Sequence, residues 1–333
     1  MPSVSIIIPA RNEENNIERC LDSLMLLNFP KEKLEVIVVD DESTDNTAAL
    51  VSSYPVTLIR NQASAGTIAF KKKALETGIL KAKGEIIVTT DADCTVQPQW
   101  LIILISAMRN QHAYLVTGPV RMTPGRSFLS KFQSLDFAIL QGITAASVQS
   151  GIHDMSSGAN LAYLKKTFEE VNGFEGIDDI ASGDDMLLMQ KISGVYPGKI
   201  AYAFSKDAIV DTNTESSWRN FLRQRIRWAS KATRYRDKHI FRILLLVYFL
   251  NLTLFIMMCI CWISSWALFS CLMMIFLKAL VEWTFVSRVL NFFSLQSLMQ
   301  MFPFAQPLHI TYTVISGLFG QAGSYQWKGR KVK

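Results

Sequence analysis

The chain has 333 residues, enough for one large domain or two modest ones with a core of ordinary size. Half of them are hydrophobic while the net charge is +6, a pairing that points toward a membrane. Five cysteines, Cys20, Cys94, Cys259, Cys261 and Cys271, follow no metal-ligand spacing and are odd in number, which argues against a disulfide framework and for reduced thiols.

The N-terminal stretch "MPSVSIIIPARNEE" has no basic n-region followed by an apolar h-region and cleavage site. The front of the chain is therefore expected in the cytosol. Up to about Val120, short apolar runs alternate with helical patterns, the signature of a parallel α/β sheet. "VSIII" (Val4 to Ile8) reads as a buried strand, and Asn15 to Leu27 as an amphipathic helix with Ile17, Leu21 and Leu24 on one face. "LEVIVVDD" reads as the second strand, with Ser43 or Thr44 capping the helix that follows. "VTLIR" is the third strand, Ala69 to Ala82 a helix, and "EIIVTT" the fourth strand. Beyond Val120 a helical stretch runs from Phe128 to Val148 and leads to the polar loop "HDMSSGAN", His153 to Asn160.

The apolar excess lies late in the chain. From Ile243 to Ser287 the only formal charges are Lys278 and Glu282, four apart on one helical face and able to neutralise each other. A helical crossing takes about 20 apolar residues, so this stretch supplies two, with a break at Ser264 and Ser265. A third apolar stretch, Met301 to Gly320, contains Pro303 and Pro307 and reads as a third crossing, a re-entrant hairpin or an interfacial helix. Between Trp218 and Arg242, nine Lys or Arg stand against the single acid Asp237. Such a juxtamembrane block marks the cytoplasmic side and attracts anionic headgroups rather than nucleic acid. The basic tail "WKGRKVK" favours an even number of crossings.

Three strand ends carry polar clusters: "PARNEE", "DDESTD" and "DADC". In open parallel sheets ligands bind beyond the carboxyl ends of the strands, so these clusters describe one crevice. Asp91 and Asp93 can share a target, and their hard oxygens suit Mg²⁺ or Mn²⁺ together with substrate phosphates. A lone D-x-D also serves as ordinary turn chemistry. In "SGDDMLL" paired acids stand at a helix N-terminus, where Asp commonly complements the dipole. In "RQRIRW" helical spacing puts Gln224, Arg227 and Trp228 on one face.

Taken together, "PARNEE", "VVDDESTDNT", "DAD", "SGDD" and Q-x-x-R-W resemble, in order and spacing, the family 2 glycosyltransferases. These are inverting GT-A enzymes that include the cellulose, chitin and hyaluronan synthases. The resemblance runs from Val4 to Trp228 and, with the apolar segments that follow, matches the membrane-bound branch. It implies a Rossmann-like α/β domain with a mainly parallel sheet over residues 1–215. A basic interfacial region with Q-x-x-R-W would follow over 216–242, a membrane region over 243–322 and a basic tail over 323–333.

The resemblance also implies roles. Pro9, Ala10, Asn12 and Glu13, with Asp41 and Asp40, would hold the nucleoside of a nucleotide-sugar, a UDP-sugar in the first instance. Lys71, one of three adjacent lysines, would approach the nucleotide, Asp91 the ribose or sugar, and Asp93 the metal. Asp185 would be the general base, next to Asp184, where family members usually have Glu. Asn160 would contact the acceptor, and Gln224, Arg227 and Trp228 would cover the diphosphate and help bind the acceptor. The expected protein is thus a metal-dependent transferase, multi-pass in the cytoplasmic membrane with its catalytic domain in the cytosol. Its acceptor would be a lipid, a lipid-linked sugar or a glycan. A sugar-nucleotide pyrophosphorylase would need a Gly-rich, Arg-containing loop after the first strand, which "PARNEE" lacks. An inert sugar-binding scaffold would be expected to have lost Asp93, Asp185 or Arg227. No G-x-x-x-x-G-K-[ST] occurs, so a P-loop enzyme is excluded.

Overall fold

The computed structural model describes residues 1–61, 68–152, 156–180, 183–230, 238–322, 325–327 and 330–332. Ser182, residues 153–155 of the expected loop, residues 231–237 of the basic block and parts of the basic tail lie outside the described residues. Two compact units emerge. One comprises residues 1–121, 143–213 and 326–333, the other residues 122–142 and 214–325.

The first unit alternates strand and helix: β1 (Val4–Ala10), α1 (Ile17–Met25), β2 (Leu34–Asp41), α2 (Thr47–Val51), β3 (Thr57–Asn61), α3 (Phe70–Lys81) and β4 (Ile86–Thr89). It continues with α4 (Trp100–Asn110), β5 (Leu115–Thr117) and β6 (Val120–Met122). The long helix α5 (Phe128–Gln149) runs from one unit into the other and is followed by β7 (Leu161–Leu164) and α6 (Lys165–Glu170). Then come α7 (Met186–Val195), β8 (Ile200–Tyr202) and β9 (Val210–Thr212).

Seven strands make one sheet in the order β3-β2-β1-β4-β7-β5-β8. The first four pair in parallel; β1, β2 and β4 are largely buried, as their apolar runs predict, while β3 is a partly exposed edge strand. β7 enters antiparallel between β4 and β5, so the sheet is mainly rather than wholly parallel. Register decides the location of the crevice. Ala10 stands opposite Asp40 and Asp41 opposite Asn61, so the polar ends of β1, β2 and β3 finish level. α1 buries Ile17, Leu21 and Leu24, the face read from the sequence, and Cys20 beside them.

The second unit contains α8 (Trp218–Ala229), α9 (Lys238–Ile260), α10 (Ser265–Phe292) and α11 (Phe302–Ala322). β10 (Tyr325–Trp327) and β11 (Arg330–Val332) pair with each other near the end of the chain. The break between α9 and α10 falls at the expected serines, where the Ser264 hydroxyl accepts from the Ala267 amide at 3.1 Å. Among the described residues two helices, Phe241–Ile260 and Ser265–Phe292, are long and apolar enough to cross a membrane, with only 11% and 17% of their most apolar windows buried. A soluble core helix would bury most of that surface, yet Leu246, Trp266, Phe276 and Val281 are all exposed.

The third apolar stretch is the single helix α11, with Pro307 inside it. The Lys278–Glu282 pair forms at 2.8 Å. Gln306 of α11 closes it into a triangle, accepting from Lys278 at 2.7 Å and donating to Glu282 at 3.0 Å.

Candidate functional site

The ends of β1 and β2 are clasped together by side chains that the sequence had cast as ligand contacts or caps. Asn12, at φ 52, takes the left-handed conformation that Asn tolerates. Its Oδ1 accepts from the Thr44 amide at 2.8 Å, and its own amide donates to Ser43 Oγ at 3.0 Å. Ser43 and Thr44 therefore do not cap α2. The helix begins one turn later, where Asp45 accepts from the Thr47 amide at 3.0 Å. The Glu13 amide donates to Thr47 Oγ1 at 2.7 Å, and Arg11 Nη1 donates to the carbonyls of Asp41 and Glu42. Asp40 and Asp41 are buried. The first accepts from the Ser43 amide, and the second from Asn61 Nδ2 at 3.2 Å. Pro9 and Ala10 close β1 beside this clasp.

At the end of β4 the two aspartates are held differently. Asp91 Oδ1 lies 2.7 Å from Lys71 Nζ, and the same ammonium reaches Asp184 Oδ2 at 3.2 Å. Lys71 thus bridges an acid of the D-x-D turn and an acid of "SGDD". Burial alone would lower its pKa, but Asp184 and Asp91 beside it hold the ammonium above its ordinary value. Asp93 is fixed by a segment that sequence reasoning missed. Thr212 Oγ1 donates to Asp93 Oδ2 at 3.3 Å, and Thr95 exchanges two backbone bonds with Asp211. Arg121 grips Asp211 through both oxygens at 2.6 and 2.9 Å. Arg19 ties the Asp93 carbonyl to Asn213. The thiols of Cys20 and Cys94 lie against this turn, raised by burial and by the Asp93 and Asp91 charges, so neither is a thiolate at neutral pH.

Asp185 caps α7. One oxygen accepts from the Met186 amide at 2.7 Å and the other from the Gly158 amide at 3.2 Å. Gly158 leaves room for this approach. A Cβ there would meet Asp184 Oδ2 at 2.9 Å and Lys71 Nζ at 3.4 Å. Its carbonyl accepts from Thr89 Oγ1, which ties the loop to β4. Two residues on, Asn160, which the resemblance assigned to the acceptor, is wholly buried. Its Nδ2 donates to the carbonyls of Pro119 and Ala208, and its Oδ1 accepts from Trp100 Nε1 at 2.9 Å. With every polar group satisfied inside the fold, its side chain is a structural clasp. Orphaning any one of those partners would cost about 1–3 kcal/mol.

The structure therefore brings Lys71, Asp91, Asp184, Asp185 and the Gly158 backbone together at the sheet's carboxyl edge. Gln224, Arg227 and Trp228 lie on α8 in the second unit. There the residue between them, Arg225, is the buried one. Its Nη2 pairs with Asp136 at 2.9 Å and its guanidinium stacks 4.4 Å from the Trp228 ring. Gln224 Nε2 donates to Glu215 at 3.2 Å, while its buried Oε1 has no partner among the described residues.

Among the described residues no three His, Cys, Asp or Glu side chains form a ready-made metal cage. Asp93 still offers the donor chemistry a hard cation needs. Among the described residues its carboxylate receives a long hydroxyl contact from Thr212 and a weak thiol contact from Cys94. One or two such carboxylates, with waters and substrate phosphates, fit Mg²⁺ or Mn²⁺.

Comparisons with known proteins agree with this architecture. The probable glycosyltransferase YdaM of Bacillus subtilis (strain 168) is 29% identical over 238 residues, covering 69% of this chain and 55% of that protein. A poly-β-1,6-N-acetyl-D-glucosamine synthase of Staphylococcus epidermidis is 25% identical over 232 residues, covering 68% and 53%. The chain thus spans about half the length of these curated relatives. Among solved structures, the mannosyltransferase PcManGT of Pyrobaculum calidifontis, in complex with GDP-Man and Mn²⁺, superposes with a TM-score of 0.55. The two are 22% identical, over 92% of this chain and 87% of that one, a likeness of fold. The family model for glycosyl transferase family 2 matches residues 5–171, half of the chain, and the chain belongs to that family.

Proposed function

We propose that this protein is a membrane-anchored, metal-dependent, inverting glycosyltransferase. It moves a sugar from a nucleotide-sugar to a lipid, lipid-linked or glycan acceptor. The observation that carries the reading is the Lys71 bridge between Asp91 and Asp184 beside Asp185, at the carboxyl edge of a family 2 sheet. A parallel sheet binds ligands at that edge. Supporting it are the GDP-mannose and Mn²⁺ of the P. calidifontis enzyme and the glycan named in the staphylococcal synthase. The two exposed apolar helices support the membrane anchor.

In this reading the ends of β1 and β2 hold the nucleoside, through Pro9, Ala10, Asn12, Glu13, Asp40 and Asp41. Asp91 faces the ribose or sugar, and Asp93, with Asp91, holds the divalent cation. When bound, that cation acts as a Lewis acid on the departing diphosphate. Lys71 keeps Asp91 and Asp184 apart as charges and presents them in fixed positions. Asp185, oriented by the Gly158 and Met186 amides, takes the proton of the attacking acceptor group as the new glycosidic bond forms. Attack opposite the leaving group inverts the anomeric carbon. Gln224, Arg227 and Trp228 are assigned by their motif to the diphosphate and the acceptor, with Arg227 as a bidentate clamp.

Membranes containing the full chain, incubated with a panel of labelled UDP- and GDP-sugars and then extracted, test this reading. Label in the organic phase identifies a lipid or lipid-linked acceptor, and label in an aqueous polymer a glycan. No donor-dependent label in either phase would sink the reading.

A further inference from the structure

"FKKKALETG" carries three successive lysines, and the structure sends them three ways. Helical residues are set about 100° apart around the axis, so neighbours cannot share a direction. Lys73 is exposed and pairs with Glu76 at 2.9 Å, one helical turn on. Lys71 bridges Asp91 and Asp184. Lys72 turns inward. It is 1% exposed, and its Nζ donates to the carbonyls of Ile177 and Ile180, each at 2.6 Å.

A second buried ammonium, from another helix, repeats the arrangement. Lys191, on α7, donates to the carbonyls of Gly173 and Glu175 at 2.7 Å each, and of Asn172 at 3.3 Å. Five carbonyls of the segment between α6 and α7 are therefore drawn onto two ammonium groups. An ammonium has three donors and no acceptor, so backbone oxygens suit it, and burying one is costly unless it is so bonded. Val171, Phe174 and Ile177 pin the same segment with apolar side chains.

In sequence the segment precedes the acidic pair. From Ile180 to Asp184 is four residues, at most about 14 Å of extended chain. Upstream of the pair the chain is gripped by Lys72, next to the lysine that grips Asp184 itself. Downstream, the helix that Asp185 caps is gripped through Lys191. We infer that Lys72 and Lys191 are positioning residues for Asp184 and Asp185, acting through backbone carbonyls. The inference rests on the transferase reading for its kinetic consequence, not for the clamp.

The test uses the full chain in membranes, comparing Lys72→Met and Lys191→Met with Lys73→Met. A misplacement of about 1 Å at a reacting group costs about 100-fold, so kcat should fall about 10- to 100-fold in the two clamp variants while donor KM stays within about two-fold. Amide hydrogen exchange should rise over residues 172–190 and stay unchanged in the strands of the first unit. Lys73→Met should match wild type in both. If Lys72→Met is not recovered folded, Lys72→Gln, whose amide reaches fewer carbonyls, is read the same way. A kcat within about two-fold of wild type in the folded variants, or exchange raised evenly over the whole unit, overturns the inference. A wild-type chain that transfers no sugar at all would be a failure of the transferase reading, and the exchange measurement still judges the clamp.

Discussion

Lys71 of the first unit and Arg225 of the second are both cations held against a carboxylate, and they differ in closure. Lys71 and its partner Asp91 keep 21% and 35% of their side-chain surface open at the sheet edge, and the ammonium divides itself between two acids. Arg225 and Asp136 keep 4% and 7%. Asp136 there is also bonded to His309 Nδ1 at 2.8 Å and Tyr312 Oη at 2.7 Å. A cluster left part-open with unequal partners is suited to exchange them for a ligand. A closed one, walled by the rings of Phe221, Trp228 and Tyr312, fixes helices. Charge alone therefore does not mark a site; accessible charge beyond a strand end does.

Substitutions should separate the two clusters. The largest expected effect is at Asp185. Asp185→Asn removes the proposed base and should lower kcat by about 10²–10⁴-fold in the labelled-sugar assay, with the melting temperature held. Lys71→Met should follow, since a hydrogen bond to a charged group is worth about 1.5–3 kcal/mol. That corresponds to about 10- to 150-fold in kcat/KM. Gly158→Ala presses a methyl group against Asp184 and Lys71 and should cost about 10-fold in kcat without unfolding the protein.

The closed cluster should respond in stability instead. Asp136→Ala leaves a buried guanidinium unpaired and should destabilise by about 3–5 kcal/mol, read as a lower melting temperature in detergent. The sign of its pH dependence follows from Asp136. Burial would raise its carboxyl pKa, but Arg225, with His309 and Tyr312, outweighs burial and holds it below the ordinary value. A depressed folded pKa gives a stabilisation that is complete above the unfolded value of about 3.9 and is lost as pH falls through the folded one. Wild type should therefore lose, below about pH 4, an advantage over Asp136→Ala that is constant near neutrality. Were both clusters to respond in activity alone, the contrast between them would fail.

The strands that end in acids were legible because long apolar runs meeting Asp admit few other folds. β5, β7 and β8 were not, since three or four residues carry no usable periodicity and antiparallel insertion leaves no local mark. The acids of the site were legible as residues but not in their pairing. Only the turn of α3 decides which of three lysines reaches Asp91. Thr212 and Asp211 escaped notice because their partners stand far away in the chain, as did the pairing of Arg225 with Asp136. The internal bonds of Asn160 were not legible either: a polar residue that saturates a buried corner looks the same in sequence as one that waits for a ligand.

The central claim is that carboxylates at the end of β4 hold a cation on which sugar transfer depends. Transfer from the active labelled donor should be followed with Mn²⁺, after EDTA and after Mn²⁺ is restored, in wild type and in Asp93→Ala. The account predicts turnover that EDTA stops, that Mn²⁺ recovers in wild type, and that the variant lacks throughout. Turnover that persists in EDTA, or that Asp93→Ala sustains at the wild-type rate, would contradict it.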